Sequence, residues 1–250
     1  MSVATVALLA LAAFAAGCVD AIAGGGGLIT FPALVAAGLP PHLALGTNKG
    51  QAVFGAVSSA AHFWRGGGLD RGRAPLGFAM GLAGSLLGAL AVLSVRPEPL
   101  RPLIMVLLAA AAAAVLLRGH VKTRPRPPLH PRAALAAVAL GLGAYDGFFG
   151  PGTGSMLIVA FMLVFGDGLT RASGNAKVVN LASNLAAVGV FAARGSVLLR
   201  VALPMAAANA LGAAVGARLA LRRGDRLVRW GVLAVVAAAI AKLGIDFARG

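Results

Sequence analysis

Charged residues are scarce in this sequence. Asp, Glu, Lys and Arg make up 12% of its 250 residues, whereas a soluble domain carries roughly 25%. Hydrophobic residues make up 59%. A chain of this composition has too few polar side chains to cover a surface that faces water. The composition therefore predicts an all-α, polytopic bundle of membrane helices, placed in the inner membrane of a bacterial-type cell.

Cysteine and recognisable metal ligands are also lacking. The single cysteine, Cys18, excludes an internal disulfide. The four histidines show no metal-ligand spacing, and no ATP-binding P-loop occurs. We therefore expect no metal, no cofactor and no enzymatic activity.

Acidic residues are few beside basic ones, with 7 Asp and Glu against 22 Lys and Arg and a net charge of +15. In a soluble protein this excess would suggest nucleic acid. Here the basic residues lie in short gaps between apolar runs, where Lys and Arg set topology and contact anionic lipid. The expected partner is membrane lipid and not nucleic acid. No basic residue precedes the first apolar run, so we expect a membrane helix there and not a cleaved signal.

The apolar runs predict ten helices, of which eight approach the ~20 residues needed to span the hydrocarbon. Two runs are short, and each follows a glycine-rich break at 24–27 or 150–154. Gly and Pro in these breaks make a continuous helix costly. The predicted helices are 3–23, 28–38, 43–64, 74–95, 100–118, 132–149, 154–166, 171–193, 197–218 and 227–247.

A basic, proline-rich segment at 119–131 predicts a cytoplasmic linker between two transmembrane repeats, 1–118 and 132–250. In each repeat an aspartate precedes a glycine-rich break and a short apolar run, and Gly-Thr-Asn-Lys at 46–49 then matches Ser-Gly-Asn-Ala-Lys at 173–177. If both short runs cross the membrane, most Lys and Arg residues fall on one side, and the two halves are inverted. Internal duplication of this kind is typical of secondary transporters.

The glycine-rich breaks are the first candidate site. In a membrane, the freed backbone groups must be satisfied by protein or by a water-lined cavity. The helix that restarts after each break directs N–H groups and a positive dipole end toward that cavity, which favours an anion. The alternative is that the breaks are tight turns near the membrane surface. The candidate anion ligands here are Gly25, Gly26, Gly27, Gly152, Thr153 and Gly154.

Polar residues at the start of two long helices are the second candidate. Lysines within a membrane are costly and are usually functional, and amides beside them could hold an oxyanion; helix capping and hydrogen bonds between helices are the alternative. The candidates are Asn48, Lys49, Asn175, Lys177, Asn180 and Asn184. Asp20 and Asp146 are candidates for ion coupling, because each could neutralise the lysine of its own half or take up a proton. Each could instead cap the next segment.

Together these residues resemble the sulfite exporter TauE/SafE family. The likeness rests on the stretch 17–70, with an Asp, a glycine-rich break, Phe-Pro-Ala-Leu at 31–34 and Gly-Thr-Asn at 46–48, and on the related pattern at 146–184. It covers nearly the whole chain. The resemblance implies a plasma-membrane permease that exports sulfite, an organosulfonate or a related anion.

The expected function is therefore secondary transport of a small sulfur-containing or carboxylate anion by alternating access. A cation or metal permease is one alternative, and a membrane scaffold without transport activity is another. The sequence leaves the substrate, the direction, the coupling ion and the oligomeric state open, including a homo-oligomer.

Overall fold

The computed structural model describes residues 1–96, 98–100, 103–104, 106–108, 110 and 128–223. Within these ranges the helices whose bounds are defined are α1 (Val3–Ala23), α2 (Gly27–Ala36), α3 (Pro41–Arg65), α4 (Ala74–Leu93), α5 (Pro131–Phe148), α6 (Thr153–Phe165), α7 (Leu169–Ala193) and α8 (Leu199–Arg223). The predicted helix 227–247 lies outside the described residues, as do most of 100–118 and of the linker.

The helical membrane fold predicted from composition is confirmed. In the described ranges, α1, α4, α7 and α8 are each long and apolar enough to cross a membrane, while α2 and α6 are the short apolar helices that follow the breaks. The boundaries follow local chemistry: proline occupies the first turn of α3, α4 and α5, where a missing N–H costs nothing.

Helices of the two predicted repeats interleave. The first helix, α1, packs along α8, and α4 packs along α5, so the most extensive contacts join the two halves of the sequence. Glycines permit both approaches. A Cβ at Gly84 would overlap the carbonyl oxygen of Leu140, and one at Gly212 would overlap that of Phe14. Small residues at such positions let membrane helices pack backbone to backbone.

Aromatic packing holds the two broken segments against each other. Phe31 of α2 meets Phe149, just after α5, edge to face with ring centroids 5.6 Å apart. Tyr145 donates its hydroxyl to the carbonyl of Pro151 at 3.0 Å. Both phenylalanines are buried, so these contacts hold the two broken segments together in the protein interior.

Candidate functional site

The two glycine-rich breaks touch. The backbone N–H of Ser155 donates to the carbonyl of Gly24 at 2.9 Å, and the Ser155 hydroxyl donates to the carbonyl of Ala23 at 2.7 Å. A Cβ at Gly154 would lie 2.6 Å from the Gly24 Cα, so only glycine permits this approach. The contact brings the end of α1 against the beginning of α6.

Three glycines with a positive φ produce the breaks, namely Gly24, Gly150 and Gly152. Gly24 has φ of 78° where α1 ends, and Gly152 has φ of 88° just before α6 begins. L side chains rarely adopt this conformation. Asp20 Oδ1 accepts the N–H of Gly26 at 3.2 Å and so satisfies one donor of the first break. The beginnings of α2 and α6 both line one internal cavity, which is described below.

Two ion pairs with buried lysines cross between the halves. Lys49 Nζ lies 2.7 Å from Asp146 Oδ1, and Lys177 Nζ lies 2.6 Å from Asp20 Oδ2. The lysine side chains are 2% and 0% exposed. The expectation that each aspartate neutralises the lysine of its own half is wrong, because the halves interleave and each aspartate meets the opposite lysine. Neither lysine side chain extends to the surface of the described protein.

The two aspartates differ in their surroundings. Asp146 is 2% exposed and also accepts hydrogen bonds from the Asn180 amide, at 3.3 Å, and from the Ser183 hydroxyl. The Asp20 side chain is 23% exposed, and its other protein partner is the Gly26 N–H. Asp146 is thus enclosed by donors, whereas Asp20 is open to the interior space.

That space is a polar cavity of about 30 Å³, which is room for very small groups. Its lining unites most of the residues predicted from sequence. Gln51 and Asn209 also line it, although neither was selected as an anion ligand. Gln51 follows Asn48 by one helical turn, a spacing that places both on one face. The full lining comprises Asp20, Gly24, Gly26, Gly27, Asn48, Lys49, Gln51, Ala52, Asp146, Gly150, Gly152, Gly154, Asn180, Asn184 and Asn209.

Four of the predicted residues do not line this cavity. Lys177 does not contact the cavity itself but forms an ion pair with Asp20, which lines it. Gly25 lies inside the first break, where its carbonyl accepts the N–H of Leu28 at 3.0 Å. The Thr153 hydroxyl donates to the Gly150 carbonyl at 2.7 Å, within the second break.

Asn175, the fourth, belongs to a separate network. Its amide nitrogen donates to Asp167 at 2.7 Å, and its oxygen accepts the N–H of Asp70 at 2.8 Å. Arg73 holds the same Asp167 through two bonds of 2.9 and 3.1 Å. Asn175 therefore joins the loop after α3 to the loop before α7 and lies outside the candidate anion site.

Matched positions in the two halves make matched contacts. Thr47 Oγ1 accepts the N–H of Leu198 at 3.0 Å, as Asn175 accepts that of Asp70. By these contacts Asn175 corresponds to Thr47, whereas the sequence pattern matched Asn175 with Asn48. The duplication of the halves, and their inversion in the membrane, stay predictions that these paired contacts support.

The fold and the cavity define a class of protein: a multi-pass helical membrane protein in which broken helices meet around buried charge. This arrangement is typical of secondary transporters.

The sequence profile of the sulfite exporter TauE/SafE family matches residues 9–243. The chain belongs to this family and is a membrane transporter of the inner membrane. A probable membrane transporter protein, ORF9 of Sinorhizobium sp, is 39% identical over 239 residues, covering 94% of this chain and 90% of the relative. The probable membrane transporter YfcA of Escherichia coli K12 is 38% identical over 96% of this chain and 89% of its own. A probable membrane transporter of Haemophilus influenzae is 37% identical over 89% and 88%. No solved structure matches this chain.

Proposed function

We propose that this transporter exports a small anion, namely sulfite, an organosulfonate or a related sulfur or carboxylate compound, and that the cavity between the two breaks binds it. The contact between the two breaks, which directs two helix beginnings at one polar cavity, carries the proposal. Unpaired N–H groups and the positive dipole end of a helix stabilise anions. The description of the family as sulfite exporters supports the substrate class and the direction.

The charges of the site suit an anion that takes the place of an aspartate as the partner of a lysine. Two lysines and two aspartates cancel in the described site, so its resting charge is balanced. A proton on one aspartate would free its lysine and leave net positive charge for an anion. Asp20 is the better placed of the two to take up that proton, because it is the more open to the cavity.

Efflux from proteoliposomes tests the proposal. Vesicles that contain the purified protein and are loaded with sulfite should lose it faster than empty-membrane vesicles. Added sulfonates should compete, and divalent cations should not. Protein-dependent flux of divalent cations without sulfite efflux would favour the cation permease instead.

Lys177→Ala tests the site itself, and we expect it to abolish efflux. Arg171→Ala is the matched control, because it removes a positive charge from the same helix at a side chain that is 57% exposed. If Lys177→Ala fails to fold, the double variant Lys177→Ala/Asp20→Asn removes the unpaired carboxylate. Wild-type efflux from either folded variant would remove Lys177 from the mechanism.

A further inference from the structure

We infer that the anion bound in this cavity carries its own hydrogen-bond donor, such as an O–H or N–H on a small oxyanion, and that this donor binds Gln51 Oε1. The inference rests on the proposed function and narrows its substrate class. In this arrangement the negative oxygens of the ligand lie at the beginnings of α2 and α6, and its donor group lies at the Gln51 amide oxygen.

Gln51 supplies the observation. Its side chain lies on the cavity wall and the residue is 1% exposed. Among the described residues, its Oε1 is the one buried side-chain nitrogen or oxygen that has no hydrogen-bond partner. A buried acceptor without a partner is unfavourable, and native proteins usually complete such groups with water or a ligand.

Neighbouring atoms determine which way the Gln51 amide faces. Thr30 Oγ1 lies 2.6 Å from Asn48 Oδ1, which is typical of an O–H···O bond and short for an N–H···O bond. The oxygen of Asn48 therefore faces Thr30. Gln51 Nε2 then donates to that same oxygen at 3.1 Å, because the reverse orientation would bring two acceptors together. The oxygen of Gln51 is consequently the atom of this amide that has no partner beside the cavity.

Other polar groups of the cavity are hydrogen-bond donors, so they require acceptor atoms on the ligand. With its oxygen turned to Thr30 and Gln51, the Asn48 amide has its donor nitrogen on the other side. The beginnings of α2 and α6 border the cavity at Gly27 and Gly154, and Lys49 adds an ammonium beside Gly150. A ligand that is only an acceptor satisfies these donors and leaves Gln51 Oε1 unsatisfied. A ligand that combines acceptor oxygens with one donor satisfies both.

Sulfamate and methanesulfonate test this inference. Both are small tetrahedral monoanions at neutral pH, and they differ in an NH₂ group, which donates, and a CH₃ group, which does not. Binding of each anion to the purified full-length protein is measured by isothermal titration calorimetry at matched ionic strength. Sulfamate should bind at least about tenfold more tightly, because a site built to bond a donor rejects the analogue that lacks it.

Gln51→Met is the matched variant, because methionine has a similar length and no amide. It should bring the two affinities to within about twofold while methanesulfonate still binds. The wild-type comparison needs no variant, so the test stands even if Gln51→Met fails to fold. Equal wild-type affinities would overturn the inference and leave anion binding intact. Failure of sulfamate, methanesulfonate and sulfite alike to bind would overturn the proposed function as well.

Discussion

The contact between the breaks makes Gly154→Ala a sharp test of the site. Gly154 has no positive φ, so alanine suits its backbone and would add about 1 kcal/mol of helix stability in open space. In the structure, however, the new Cβ would lie 2.6 Å from both the Cα and the carbonyl oxygen of Gly24. These are backbone atoms and cannot rotate away, so the two breaks must separate.

The expected loss of stability follows from these contacts. Overpacking of this kind costs about 2 kcal/mol. Separation of the breaks also weakens the two hydrogen bonds from Ser155 to Gly24 and Ala23, worth about 1 kcal/mol each. After the gain in helix propensity is subtracted, Gly154→Ala should lower the free energy of unfolding by about 3 kcal/mol.

Unfolding in detergent micelles, followed by far-UV circular dichroism, measures this difference. The matched control is Gly141→Ala in α5, where a Cβ would meet nothing within 4 Å. The control should be as stable as wild type or more stable by up to about 1 kcal/mol. If Gly154→Ala unfolds as late as the control, the breaks do not touch and the cavity between them is not a site.

The ion pairs give two further expectations. Lys49→Met should lower the free energy of unfolding by about 3–5 kcal/mol, because it leaves Asp146 buried and unpaired. Adding Asp146→Asn should recover most of this loss and adding Asp20→Asn should not; equal recovery by both would contradict the crosswise pairing. Arg73→Ala should cost about 2 kcal/mol, since it removes a two-bond contact to a buried carboxylate. Arg171→Ala, whose side chain is exposed, should cost less than about 0.5 kcal/mol, and similar melting of the two variants would show that the Arg73 contact contributes nothing.

The positions of most described helices could be predicted from the sequence, because the length of an apolar run and the position of a proline are local signals. The prediction of 3–23 matches α1, and the short run at 154–166 lies within one residue of α6 at each end. The α8 boundary was less accurate: the prediction ended at 218, whereas the helix continues through basic residues to Arg223. Basic side chains are good helix formers, so polarity alone did not end that helix.

The candidate site was predictable in part. Asn48, Asn180 and Asn184 were found because amides are conspicuous in apolar runs, and the structure brings all three to one cavity. The partner of each lysine was not predictable, because pairing depends on how the halves interleave. Asn175 was selected on the same signal as the others, yet its position on α7 directs it to Asp70 and Asp167. A residue type in a helix does not reveal which neighbour its side chain meets.

The pairing of each lysine with the aspartate of the other half also has a consequence for the protein while it is being translated. The ribosome completes the segment that contains Asp20 and Lys49 long before it reaches Asp146 and Lys177. Until then, the nascent first half holds a carboxylate and an ammonium whose native counterions do not yet exist, and unpaired charge within lipid is costly. A chain that stops at the linker therefore lacks both native counterions and carries the cost of Asp20 and Lys49 without them.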